Sequence, residues 1–350
     1  TSYDIFADVS WQLDLFGGAR RGYEAAQDSA QAAAADVEAT RLAMRAELAQ
    51  DYFLLRALDA QRDLLERTVQ AYERSLQMTR NRYANGVVSR ADVAQAEAQL
   101  RTTQAQTIDL GVQRAQLEHA IAVLTGKPPS ALALPYRALS ASPPRIPAGL
   151  PSTLLERRPD IAAAERRVAA ANAQIGVATA AWFPSLSLGA QIGFESTDLA
   201  KLLTAPSRFW SVGPALAQTL FDAGLRHART EEARAAHAAS VAAYRQTVLT
   251  GLQEVEDNLA ALRILAQEAD TQAQAVAAAE QSLTLINNQY KAGVVSYLEV
   301  VTAQTIALTN QRSAVDIGAR QMIASVLLVR ALGGGWQNEI TAARAVRPKR

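Results

Sequence analysis

Asn81-Arg82-Tyr83-Ala84-Asn85-Gly86-Val87-Val88-Ser89 returns later in the chain as Asn288-Gln289-Tyr290-Lys291-Ala292-Gly293-Val294-Val295-Ser296. The offset is 293 − 86 = 207 positions, and it holds beyond the turn. Glu47 matches Glu254, Arg56 matches Arg263, Gln104 matches Gln311, Asp109-Leu110-Gly111 matches Asp316-Ile317-Gly318, and Gly126 matches Gly333. A register kept from position 47 to position 126 without an insertion is the mark of a tandem duplication. The chain is two copies of one unit.

Glycine just past a helix end and a small polar residue before the next helix make each turn a hairpin tip. Ser89 with Asp92 and Ser296 with Glu299 read as N-caps, the second pair with capping-box spacing. Before each tip the apolar residues keep heptad spacing: Leu58, Leu65 and Tyr72 on one position, Leu55, Val69, Leu76 and Tyr83 on another. The second copy has Leu262, Leu265, Val276, Leu283, Ile286 and Tyr290. The stripe is narrow and alanine fills much of the remainder, which suits helices packed side by side in one layer rather than around a wide core. At 1.5 Å per residue the helix over 19–84 spans roughly 100 Å and the returning helices, 89–125 and 296–331, roughly 55 Å.

Of the 12 prolines, 11 fall between Pro128 and Pro214 and the last is Pro348. Proline inside a helix costs about 3 kcal/mol, so turns and extended chain belong in the middle. Residues 128–158 form a proline-rich connection, with a short helix expected over Ser152–Arg157. Pro159 opens a helix to about Ala181, some 35 Å long, which added end to end would bring a returning helix to about 90 Å. The chain thus divides into a first repeat (1–127), the connection (128–158), a second repeat (159–336) and a tail (337–350). The repeats carry helical hairpins at 19–125, with its tip at 84–89, and at 225–331, with its tip at 291–296.

Between these stretches the period changes to two. Tyr3, Ile5, Ala7, Val9, Trp11, Leu13 and Leu15 alternate with mostly polar neighbours over 3–15, and a hairpin at 184–221 repeats the pattern. Val168 to Phe194 carries no charge, but Asn172, Gln174 and Pro184 interrupt it, so it reads as a helix entering a strand rather than a membrane-spanning helix. A strand of about 10 residues has the length of a tilted transmembrane β-strand. Aromatics gather at the strand ends, as at a membrane interface: Tyr3, Trp11, Trp182, Phe183, Phe194, Phe209 and Trp210. A soluble half-buried strand shows the same alternation, yet three strands in 350 residues cannot make a self-sufficient sandwich. A closed barrel would need strands from several chains. The partner of the first strand is expected upstream of Thr1, giving four strands per full-length chain, three visible here, and twelve in a trimer.

Composition excludes other classes. With 35 basic and 34 acidic residues there is no basic footprint for nucleic acid, and no cysteine offers a thiolate or a disulfide. The histidines at 119, 227 and 237 lack metal-ligand spacing. No nucleophile–base set and no phosphate loop appears, so neither an enzyme nor a cofactor is expected.

Ser10-Trp11-Gln12-Leu13-Asp14-Leu15-Phe16-Gly17, Leu154-Leu155-Glu156-Arg157-Arg158-Pro159-Asp160-Ile161, Trp182-Phe183-Pro184-Ser185-Leu186, the two Tyr-x-x-Gly-Val turns and Ala331-Leu332-Gly333-Gly334-Gly335-Trp336 resemble the outer-membrane factor family of TolC and OprM type. The Arg-Arg-Pro-Asp segment and the Leu-Gly-Gly-Gly-Trp ending are similar to the subgroup paired with resistance-nodulation-division pumps, often lipoproteins, whose anchor would lie before Thr1. The resemblance implies a mainly α protein with a small β part, assembled as a homotrimer. A twelve-stranded barrel would sit in outer-membrane lipid, continued by a helical barrel in the periplasm. It implies a passive exit duct for drugs or other small molecules. A periplasmic adaptor would dock at the tips (Gly86, Val87, Val88, Gly293, Val294, Val295), which close like an iris. Family members place acidic residues just after the second turn; Glu299 matches the first, while Thr302 stands where the second is expected. Glu299 could also serve only as a helix cap. The alternatives are a type I secretion outlet for protein and, in a different class, a soluble coiled-coil scaffold.

Overall fold

A computed structural model describes residues 2–138, Pro144 and 157–336. Residues 152–156 of the expected short helix and the tail 337–350 lie outside the described residues. The elements run β1 (Tyr3–Leu13), α1 (Gly18–Ala84), α2 (Arg90–Leu124), α3 (Pro159–Ala180), β2 (Ser185–Ser196), β3 (Arg208–Ala217), α4 (Leu225–Lys291) and α5 (Tyr297–Ala331). The protein is mainly α with a small β part. α1 and α4 have 67 residues each, and α2 and α5 have 35 each, so the duplication extends to helix length.

The chain forms two compact units, one from 1–39 and 159–249, the other from 40–158 and 250–350. Each takes part of both repeats. In the first unit the sheet is antiparallel in the order β1-β2-β3. Ile5 pairs with Phe194, Val9 with Ala190 and Trp11 with Leu188. Ile192 in turn pairs with Trp210, Ala190 with Val212 and Leu186 with Leu216. Because side chains alternate, these residues share one face. That apolar face is bare: Val9 is 68%, Trp11 63%, Trp210 71% and Leu216 72% exposed. The opposite face carries Ser10, Gln12, Ser187, Gln191, Ser211 and the glycines 189 and 213.

At each strand-to-helix junction one aspartate receives the first turn of a long helix. Asp14 accepts from the Ala19 and Arg20 amides at 3.0 and 2.9 Å, and Asp222 from those of Gly224 and Arg226, both at 3.1 Å. An arginine side chain adds to each, Arg20 at 3.3 Å and Arg226 at 2.6 Å. Phe16 stacks on Phe183 with ring centroids 4.6 Å apart, and Trp182 donates its indole N–H to Thr230 at 3.1 Å. α3 runs along the start of α1 through small residues, with Ala25, Ala32, Ala163 and Ala173 buried. Ion pairs from Arg166 to Asp28 and from Arg167 to Asp36 cross the same contact.

In the second unit two polar clamps hold the hairpins. In the first repeat, buried Asp59 pairs with Arg56 at 2.8 Å and Arg114 at 2.9 Å and accepts the Arg137 amide at 3.0 Å. Arg56 and Arg114 also donate to the carbonyls of Pro135 and Leu134, tying the proline-rich connection to α1 and α2. The second repeat has Ala266, Gln321 and Ser325 at the positions of Asp59, Arg114 and Glu118. Its clamp is Arg158, which donates to Glu254 at 2.9 Å and to the Ala331 carbonyl at 3.0 Å. Gly333, at φ +87°, lies so close to Arg157 that an added Cβ would stand 2.0 Å from the carbonyl oxygen. The two segments that carried the subgroup resemblance thus meet in space.

The backbone N–H donors at the two junctions hold both the Asp14 carboxyl and, with the Arg226 side chain foremost, the Asp222 carboxyl below the usual carboxylate range. A depressed folded pKa stabilises above the unfolded value, about 3.9, and that stabilisation is lost as pH falls through the folded value. The Asp14→Asn, Asp222→Asn double variant should therefore melt lower than wild type at pH 7. The gap should close as pH drops below about 4. Equal melting temperatures at pH 7 would contradict this assignment.

Candidate functional site: the paired hairpin tips

Both tips, in the second unit, are built by the same bonds. At the first, Gly86 N–H donates to the Tyr83 carbonyl and Val87 N–H to that of Arg82, each at 2.9 Å. At the second, Gly293 donates to Tyr290 at 3.0 Å and Val294 to Gln289 at 2.9 Å. This pair of bonds is a Schellman motif, which needs a left-handed residue; φ is +71° at Gly86 and +79° at Gly293. No side chain lies within 4 Å of where a Gly86 Cβ would be, so the glycine serves the turn and not a close approach. Val87 and Val294 stand out from the tips, 59% and 72% exposed, while Val88 and Val295 are half-buried.

The returning helices begin differently. Ser89 and Asp92 form a reciprocal capping box. Ser296 makes no side-chain cap bond, so the expected box with Glu299 is not formed. Tyr297, the first residue of α5, is buried and bonded instead: its hydroxyl lies 3.4 Å from Ser75 Oγ. Glu299 is exposed and unpaired among the described residues, one turn into α5. Thr302 is exposed on the next turn, its hydroxyl donating to the Leu298 carbonyl.

Beneath the tips lies a core of Tyr72, Leu76, Ala96, Leu100, Tyr290, Tyr297 and Val300, all buried. Burial pushes the Tyr72 and Tyr297 hydroxyls above the usual phenol range, and the Tyr72 hydroxyl accepts from Gln99 Nε2 at 3.3 Å. Tyr290 and Tyr297 face each other with centroids 5.5 Å apart. Across the repeats, Arg82 donates to the Tyr290 carbonyl at 2.6 Å and lies 4.6 Å over its ring. The carbonyl is in the last turn of α4, where the helix dipole favours a cation. Sequence reasoning missed Arg82, because its repeat mate is Gln289 and no spacing marks it. Tyr83, expected on the same stripe as Tyr290, is instead 47% exposed.

The aromatics expected at a membrane interface fall in two groups at opposite ends of the sheet. Tyr3, Phe194 and Trp210 lie toward the β2–β3 loop, while Trp11, Trp182 and Phe183 lie toward the helices. Phe209 does not join its group: it pairs with Gly193 on the polar face, beside Phe6. No helix among the described residues is long and apolar enough to cross a membrane.

A sequence model described as "Outer membrane efflux protein" matches residues 1–127 and 150–334. The chain belongs to the outer membrane efflux protein family. It is 33% identical over 341 residues to the probable efflux pump outer membrane protein TtgC of Pseudomonas putida, covering 97% of this chain and 70% of that one. The solved structure of the outer-membrane channel OprN superposes with a TM-score of 0.91 at 30% identity, over 97% of this chain and 82% of that one. The open-state crystal structure of the Neisseria gonorrhoeae MtrE outer membrane channel gives 0.84 at 30% identity, over 96% and 76%. The protein is an outer-membrane component of an efflux pump, with its helical part on the periplasmic side.

Arg82→Ala should loosen the end of α4. The hydrogen bond and the cation–π contact together are worth about 1–2 kcal/mol. Amide exchange across 286–297 should accelerate by about tenfold, a 1.4 kcal/mol change, while that of 100–120 stays unchanged. Equal exchange in both proteins would remove Arg82 from the tip.

Proposed function

We propose that this chain is the exit duct of a tripartite pump, conducting drugs or other small molecules out of the periplasm by diffusion and performing no chemistry itself. The observation that carries the reading is the sheet of the first unit. Its apolar face is exposed between two groups of aromatics, and its polar face carries serine, glutamine and glycine. This is the sidedness of a barrel strand in lipid around a wet lumen. Three chains contributing four strands each would close it as twelve. A homotrimer, a periplasmic adaptor and an inner-membrane pump of the resistance-nodulation-division type are the partners of this reading. Nothing in the site favours an outlet for protein.

The tips are then the periplasmic aperture and the adaptor contact. Val87 and Val294 are apolar, exposed and held at the ends of rigid hairpins, as a docking surface requires. Glu299, free of a capping bond, is available to place a ring of three carboxylates in the lumen, with Thr302 adding no charge.

Glu299→Gln should lower the cation-to-anion permeability ratio of single channels by about twofold at physiological salt, the scale of three partly screened charges at the constriction. Unchanged selectivity would place Glu299 outside the aperture. Gly86→Arg or Gly293→Arg should abolish cross-linking to the adaptor and drug efflux while trimers still form. Gly86→Ala and Gly293→Ala share the backbone strain, about 1 kcal/mol, without the bulk, and should keep both activities. Normal efflux in the arginine variants would overturn the docking assignment.

A further inference from the structure

The second unit contains a groove of about 590 Å³ between α1 and the α4–α5 hairpin, reaching the second tip at Lys291. Its volume falls in the range of small-molecule sites, roughly 300–1,000 Å³. Leu64, Tyr72 and Met78 of α1, Leu283 of α4 and Leu308 of α5 give it an apolar floor. Gln304 of α5 lines it and is only 7% exposed, yet its Oε1 accepts no hydrogen bond from any described residue. A buried amide acceptor left in this way calls for a donor from outside the fold. Around the rim stand three cations and no carboxylate. Arg67 is engaged by Asp63 at 3.1 Å, but Arg74 and Lys291 are exposed and make no ion pair or hydrogen bond among the described residues.

An apolar floor, an unmet acceptor and unpaired cations specify complementary chemistry. We propose that this groove binds an amphipathic organic anion that also bears a hydroxyl or amide N–H. The carboxylate or sulfonate would lie between Arg74 and Lys291, the apolar body along Leu64, Met78 and Leu308, and the donor against Gln304 Oε1. The acceptor is single and recessed, which suits a slender ligand better than the broad contacts of a protein helix. Tyr72 belongs both to the groove and to the core beneath the tips, and Lys291 is the last residue of α4. A bound anion would therefore tie α1 to α4 at the residue next to Tyr290, which Arg82 holds. The binding claim stands independently of what the duct carries.

The test uses the full-length protein in lipid nanodiscs and a diazirine-bearing analogue of hydroxydodecanoate, with labelled peptides mapped by mass spectrometry. Label should concentrate in residues 64–78 and 283–311. Hydroxydodecanoate should compete best, dodecanoate about fivefold less well for want of the donor, and the uncharged dodecanediol least. Arg74→Ala with Lys291→Ala, both exposed positions that leave the core intact, should weaken labelling several-fold. Gln304→Leu should keep dodecanoate binding but erase the advantage of the hydroxyl. Label confined to the lipid-facing strands, or a diol that competes as well as the carboxylates, would overturn the proposal. Protection by an acidic helical peptide and not by hydroxydodecanoate would also overturn it, assigning the groove to a protein partner.

Discussion

The outer backbone edges of β1 and β3 set the terms for everything else in this protein. Within the described residues each of these strands pairs on one side only, and the sheet between them exposes an apolar face. In water such a sheet would recruit other chains through both its edges and its face. In lipid an open edge is costlier still, because no solvent can satisfy the free N–H and C=O groups. The only resolution compatible with a membrane is closure, and three strands are too few to close alone. Strands from neighbouring chains, as in the trimer proposed above, would supply that closure.

The helices solve a different problem with one repeated device. All four long helices end in the same left-handed glycine motif, at Gly86, Gly126, Gly293 and Gly333. Yet the interiors of the two repeats have diverged. The first is fixed to the proline-rich connection by the buried Asp59–Arg114 network. The second replaces those positions by Ala266 and Gln321, with Gln321 donating to the Leu265 carbonyl. A buried ion pair is a weak source of net stability but strict about geometry, since losing one partner strands the other charge. The first repeat is thus the more rigidly specified of the two around the connection. The Arg82–Tyr290 contact then relates the second tip to the first.

Much of this architecture could be read without coordinates. Period-two alternation at Tyr3–Leu15 and Leu186–Phe194 is β1 and β2, and the glycine of each Tyr-x-x-Gly-Val turn closes a helix because few other residues accept that backbone. Side chains that act across repeats were not legible. Arg82 is one arginine among many, and its partner is a backbone carbonyl, which leaves no trace in residue type. Tyr83 and Tyr290 match in the duplication but differ in burial, 47% against 2% exposed, because only the second repeat turns that position toward the shared core. The capping box at Ser296 and Glu299 had the right spacing and still did not form; there the buried Tyr297 anchors the first turn instead. Motif spacing records what a helix end can do alone, whereas packing decides which option is used. The same limit explains Phe209, aromatic at a strand end yet on the polar face.

Closure of the sheet into a shared barrel is the central claim, and electron cryo-microscopy of the full-length protein, extracted from outer membranes into detergent, tests it most directly. A hollow particle with threefold symmetry should appear, its detergent belt around β1, β2 and β3 of the three chains. Monomers, or an assembly in which the strands of neighbouring chains do not pair edge to edge, would contradict it.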